Sequence, residues 1–142
     1  MLGSWQLWAG LASGFAALTA VLAKLGIQGI DSNLATLLRT CVVLVALTAL
    51  LLSTGQLRWD SLQGLPKTSV AALVLSGLAT AASWLCYFRA LELGPVSRVA
   101  PIDKLSVVLV ALLGVAVLGE QLSGRAWLGV ALIGLGGVLV AL

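Results

Sequence analysis

Residues 68–88 read TSVAALVLSGLATAASWLCYF, a run without Asp, Glu, Lys or Arg, and how that run is read decides the fold. Its length matches the roughly 17 to 25 mainly apolar residues that a helix needs to cross the hydrocarbon core of a bilayer. Outward from it, four more charge-free runs occupy 1–23, 40–57, 105–119 and 126–142. Over all 142 residues 61% are hydrophobic and 9% are charged, against about a quarter charged in soluble domains. Eight Lys and Arg with five Asp and Glu cannot cover the surface of a water-soluble globule of this size. The sequence is that of an all-α integral membrane protein. Barrel strands would alternate in polarity, whereas these runs are uniformly apolar, and continuous helices satisfy their own backbone in lipid.

Breaker residues set the boundaries. Gly26, Gly29, Asp31 and Ser32 separate the first two runs; residues 55–66, with Arg58, Trp59 and Asp60 and followed by Lys67, form the longest loop; Gly94-Pro95 breaks the chain again, and Ser123 is placed to cap the last helix. Helices are expected at about 4–25, 33–53, 68–90, 97–119 and 124–142, all in one transmembrane domain over 1–142. The first run lacks a basic leader and exceeds a usual signal core, so it reads as a retained helix. Cys41 and Cys86 lie in apolar runs and there is no histidine, so neither a disulfide framework nor a zinc site is supported, and no cofactor is expected.

Five crossings put the termini on opposite sides. Trp5, Trp8, Trp59 and Trp127 all map to the N-terminal side, as an interfacial aromatic belt does. In the loops, that side carries Arg58, Lys67 and Arg125, and the other carries Lys24, Arg89 and Arg98. Balanced loops give no positive-inside preference, which points to dual topology and an antiparallel dimer; the alternative is one orientation fixed by details outside this count.

Polar residues inside the runs locate a candidate path. On an ideal helix Ser69, Ser76, Thr80, Ser83 and Tyr87 share an arc of about 60°. Such a stripe either lines a wetted cavity or glues helices together. Ser32, Thr36, Arg39 and Thr40, at three- and four-residue spacing, form a polar face leading inward on the second helix. In the fourth, Pro101-Ile102-Asp103-Lys104 places an acid and a base at a comparable depth, with Pro101 expected in a first turn that does not need its N–H. Arg39 and Asp103 are either a structural ion pair, with the lysines reaching lipid phosphates, or part of a site for a solute bearing a carboxylate or other anion, in which Asp103 also titrates. Small residues at Gly10, Gly14, Gly129, Gly134, Gly136 and Gly137 mark close packing within or between chains.

Three stretches together resemble the later part of an EamA domain of the drug/metabolite transporter superfamily: YFRALELGPVSRVAPI over 87–102, LGEQLS over 118–123, and WLGVALIGLG over 127–136. Residues 36–39 resemble that domain's second helix. The resemblance covers the whole chain as one five-helix unit, where usual members join two units of opposite orientation. It implies a transporter half that needs a second copy or homologous partner, with a substrate cavity lined by the first four helices. Glu120 matches the acid of the family's Leu-Gly-Glu pattern and is expected to order its loop. Asp103-Lys104 departs from the commoner apolar sequence after that proline.

The function expected is a secondary transporter protomer moving a small polar metabolite by alternating access as an antiparallel dimer. The alternative is a non-transporting membrane subunit or assembly factor packed against another membrane protein. No enzyme is expected, since neither a nucleophile–base pair nor a metal-ligand set is present. The path residues expected are Arg39, Thr36, Ser76, Thr80, Ser83, Tyr87, Asp103 and Lys104, with Asp103 for proton coupling and Glu120, Pro101 and Gly129 structural. Expected partners are the lipid bilayer, a small-molecule substrate, and a homodimeric or heterodimeric five-helix unit; no nucleic acid is expected. The expected location is a bacterial or archaeal inner membrane, crossed several times.

Overall fold

A computed structural model of the chain describes residues 4–57 and 64–142. Arg58, Trp59 and Asp60 of the expected long loop lie outside the described residues. Six helices are present: α1 Ser4–Gly26, α2 Ser32–Ser53, α3 Lys67–Leu93, α4 Val96–Asp103, α5 Ser106–Leu118 and α6 Gly124–Ala141, with no strand among the described residues. With α4 and α5 forming one span, five stretches are long and apolar enough to cross a membrane. Large apolar side chains point outward along all of them, Val45, Leu75 and Leu139 being 68%, 67% and 72% exposed. In water such faces would collapse; in lipid they are the solvated surface.

The chain divides into two compact units, one running from Gly26 to Glu92, the other combining the stretch up to Leu25 with Leu93–Leu142. The first unit holds α2 and most of α3. Asp31 starts α2, its Oδ1 accepting from the backbone N–H of Asn33 at 2.9 Å and of Leu34 at 3.1 Å, which satisfies two donors the first turn would leave free. At the other end Gly55, with φ of 67°, lets the Gln56 N–H reach Leu51 O at 3.0 Å and the Gly55 N–H reach Leu52 O at 3.1 Å. That pair of bonds is a Schellman cap, and it needs the left-handed backbone that glycine adopts without strain. Ser32, Thr36, Phe88 and Leu91 are buried.

In the second unit α4 and α5 both pack on α6. The single helix expected over 97–119 is two helices joined at Lys104-Leu105. Helix α4 begins at Val96, so Pro101 falls in its second turn, not its first, and its missing N–H removes a bond that the helix would have used. The ladder tightens beyond it: Leu105 N–H reaches Ile102 O at 2.9 Å, Val107 N–H reaches Lys104 O at 3.0 Å and Val108 N–H reaches Leu105 O at 3.0 Å, all three residues apart. The Pro101 carbonyl faces Gly137 of α6 so closely that a Cβ there would lie 2.9 Å from its oxygen; one on Gly134 would lie 3.1 Å from Val108 Cγ2. These two glycines let α6 approach the break. By contrast Gly10, Gly14, Gly129 and Gly136 have nothing within 4 Å of a built Cβ.

The turn after α5 is ordered locally. Gly119 is left-handed, Glu120 N–H donates to Gly114 O at 3.1 Å, and the Glu120 carboxylate lies 2.8 Å from where a Cβ on Gly114 would be. Ser123 Oγ then accepts from Ala126 N–H at 3.3 Å and caps α6.

Candidate functional site

Helices α2 and α3 line an open groove of about 530 Å³, within the size range of small-molecule sites. From α2 come Asn33, Thr36, Leu37 and Thr40, whose three- and four-residue spacing puts them on one face. From α3 come Leu73, Ser76, Gly77, Thr80, Ala81, Trp84 and Leu85.

Three of the four hydroxyls on this wall are chemically one-sided. Thr36 Oγ1 donates to Ser32 O at 2.8 Å, Thr40 Oγ1 to Thr36 O at 2.7 Å and Thr80 Oγ1 to Ser76 O at 2.9 Å. Each proton goes to a carbonyl one turn back on the same helix, so these three threonines do not glue one helix to another. What remains for a ligand is a methyl group and an acceptor oxygen at each position.

Arg39 supplies the charge beside the groove. Its guanidinium carbon lies 4.1 Å from the centroid of the Trp84 ring and 5.7 Å from that of Phe88, within cation–π range of both. The described carboxylates of this unit are engaged elsewhere. Asp31 caps α2, and Glu92 accepts from Arg89 Nη1 at 2.7 Å and lies within hydrogen-bonding reach of Ser32. Among the described residues the Arg39 guanidinium therefore rests on rings, with no ion pair or hydrogen bond to an oxygen, and the Tyr87 phenol is near enough to act on its charge.

The other unit holds Asp103 and Lys104. Lys104 Nζ donates to Asp103 Oδ2 at 3.1 Å, both side chains being partly exposed. On a continuous helix neighbouring side chains diverge by about 100°. The pair forms where α4 ends, with Lys104 at φ −70° and ψ −8°. Lys24, in the same unit, donates from Nζ to Gly94 O at 2.9 Å just beyond the end of α3.

Among the expected path residues, Thr36, Ser76 and Thr80 line the groove and Arg39 stacks on one of its walls. Ser83 is exposed on α3, and Tyr87 is half-buried with its ring edge-on to Phe88 at 6.5 Å; neither lines the groove. Asn33, Trp84 and Phe88 escaped the sequence reading. Trp84 carried a signal, being the one tryptophan outside the interfacial belt. The described residues contain no cluster of metal-ligating side chains.

A sequence model described as the EamA-like transporter family matches residues 3–142. A protein from Sinorhizobium sp, named an uncharacterized transporter in the cobO 3' region, is 54% identical over 138 residues, which is 97% of this chain and 96% of that protein. No solved structure matches the chain.

Proposed function

The chain belongs to the EamA-like transporter family and is a multi-pass transporter of the bacterial cell membrane, and from that premise we propose that it is one half of an alternating-access carrier for a small polar metabolite. The observation that carries this reading is the α2–α3 groove, of ligand size and flanked by a cation with no hydrogen-bonded or ion-paired oxygen among the described residues of its unit. Two inverted copies would bring two such grooves to a site near the midplane, as paired inverted units do in other carriers. Balanced loop charges let a single chain insert in both orientations. The open Gly10, Gly14, Gly129 and Gly136 faces accommodate close approach by a second helix surface. The 1–142 stretch then acts as one transport domain, with Thr36, Arg39, Ser76, Thr80, Ser83 and Tyr87 along the path. Asp103 and Lys104 are its second charged station, where Asp103 takes and releases the coupling proton.

Purified protein reconstituted alone into liposomes loaded with a mixed pool of amino acids and organic acids tests this. Expected is protein-dependent loss of a subset of solutes, read by mass spectrometry of what the vesicles retain. Retention equal to that of protein-free vesicles, in both directions of a pH gradient, favours the non-transporting subunit instead.

A further inference from the structure

The groove carries more information than its size, because the charge beside it is unusually placed. Ser32 and Glu92 lie within hydrogen-bonding reach and mark one level near the ends of α2 and α3. From that level Arg39 is about 10 Å along α2, Trp84 about 12 Å along α3 and Phe88 about 6 Å, at 1.5 Å per residue. The guanidinium lies nearer the ring of Trp84 than that of Phe88, 4.1 against 5.7 Å. A snorkelling arginine at this position would run the other way, past Phe88 toward the lipid phosphates. This one is held level with the groove by stacking.

Stacking also decides what the group can bind. A ring under the guanidinium face attracts the charge but uses none of its five N–H donors, which radiate in the plane. In a low-dielectric span the donors of a cation must be met by water or by a bound acceptor, and an anionic acceptor gains most from them. The described carboxylates of the unit are already engaged, and the groove lining contains no acid. The rest of that lining is leucine, alanine, glycine, tryptophan, threonines whose protons are consumed, and the neutral polar side chains of Asn33 and Ser76.

Building on the transport reading, we propose that Arg39 is the anion receptor of this groove, and that its solute is a carboxylate with an apolar body. The carboxylate meets the guanidinium edge in a two-point contact, and the body lies along Leu37, Leu73, Leu85 and the threonine methyls. Trp84 is a positioning residue that holds the guanidinium plane. A cationic amphiphile finds no carboxylate in this lining, only neutral acceptors, and meets the like charge of Arg39.

The test uses the full-length protein in phosphatidylcholine nanodiscs and three probes sharing one body: phenylacetate, phenylacetamide and phenethylamine. The carboxylate is expected to bind about tenfold or more tighter than the amide, with the amine weakest, since hydrogen bonds to charged groups exceed neutral ones by that order. Arg39→Gln is expected to abolish the preference for carboxylate over amide. If that variant fails to fold, Arg39→Lys is read in its place and should keep the charge but lose most of the preference, because ammonium lacks the planar fork. Trp84→Leu should weaken the preference without reversing it. Adding phosphatidylglycerol to the disc should leave carboxylate affinity unchanged; displacement by it would make the occupant a lipid headgroup and overturn the proposal. So would amine binding as tight as carboxylate binding, an unchanged preference in Arg39→Gln, or no binding by any probe. Arg39-dependent carboxylate binding without flux in liposomes upholds this inference and counts against transport. Flux in a protein that binds all three heads alike does the reverse.

Discussion

Replacing Gly137 by alanine should test how the broken fourth span is held. The added Cβ would sit 2.9 Å from the Pro101 carbonyl oxygen and 3.3 Å from Leu105 Cδ2, against the 3.4–4 Å of ordinary contact. Leu105 ends in a flexible side chain and yields readily; the carbonyl belongs to backbone fixed at the helix break and does not. Overpacking of this kind costs about 1 to 3 kcal/mol, and any contact between the Gly137 Cα–H and that oxygen, worth about 0.5 to 1 kcal/mol, is disturbed as well. Alanine also brings a helix-propensity gain of up to about 1 kcal/mol, so the useful quantity is a difference from a control. Gly136→Ala provides it: same helix, same propensity gain, nothing within 4 Å of the new atom. Gly134→Ala is intermediate, because its 3.1 Å neighbour is the end of a valine side chain. In dodecyl sulfate titrations from mixed micelles, followed by far-ultraviolet circular dichroism, stability should rank Gly136→Ala above Gly134→Ala above Gly137→Ala. The outer pair should differ by about 1 to 3 kcal/mol. Equal midpoints for Gly136→Ala and Gly137→Ala would refute the close approach of α6 to the break.

Lys24→Met removes the donor to Gly94 O at 2.9 Å, and the same titration should show a loss of about 1 kcal/mol from the part-buried carbonyl left without it. A Cβ at Gly10 or Gly136 has nothing within 4 Å, so Gly10→Leu and Gly136→Leu should cost the monomer little while cross-linking of the proposed dimer in membranes falls. A reporter fused at Leu142 should be active on both sides of the membrane, and two arginines added beside Arg125 should bias it to one side; a one-sided reporter in the unmodified chain leaves only a heteromeric pairing. Asp103→Asn should abolish the pH dependence of flux if this carboxylate carries the proton, and a variant with undiminished pH dependence removes Asp103 from that role.

The charge-free runs gave away the spans because lipid imposes one simple requirement, some twenty residues of backbone with no exposed polar group. Boundaries followed from residues whose local chemistry acts alone, such as the Asp31 and Ser123 caps. The break at Lys104-Leu105 was harder to see. A proline is harmless among the first four residues of a helix, but Pro101 is the sixth residue from Val96 and leaves a gap in the ladder. Even from a start at 97 it would be the fifth, so the expectation of a first-turn position failed on the length of the turn and not on the boundary. The groove was half legible. Periodicity on an ideal helix gathered Thr36, Ser76 and Thr80, since it depends only on spacing along one element. Trp84 and Asn33 were missed because a wall built from two helices depends on which faces they turn toward each other.

The same distinction bears on how polar stripes in membrane helices should be read. Five hydroxyls on one face of α3 look like a wet path when counted, yet a threonine that donates to its own helix offers a ligand little beyond a methyl and a lone pair. The charges of the spans show the complementary economy. Lys24 rests on a carbonyl, Arg89 on Glu92 and Lys104 on Asp103. Arg39 rests on Trp84 and Phe88, which hold its position and leave its donors open. Under the proposed anion site, discrimination among solutes falls on one side chain and not on the stripe. Thr80→Val, which removes a hydroxyl but keeps its shape, should therefore change carboxylate affinity less than twofold or so, whereas Arg39→Gln changes it about tenfold or more. Equal losses from the two substitutions in the phenylacetate assay would mean that the hydroxyls read the solute after all.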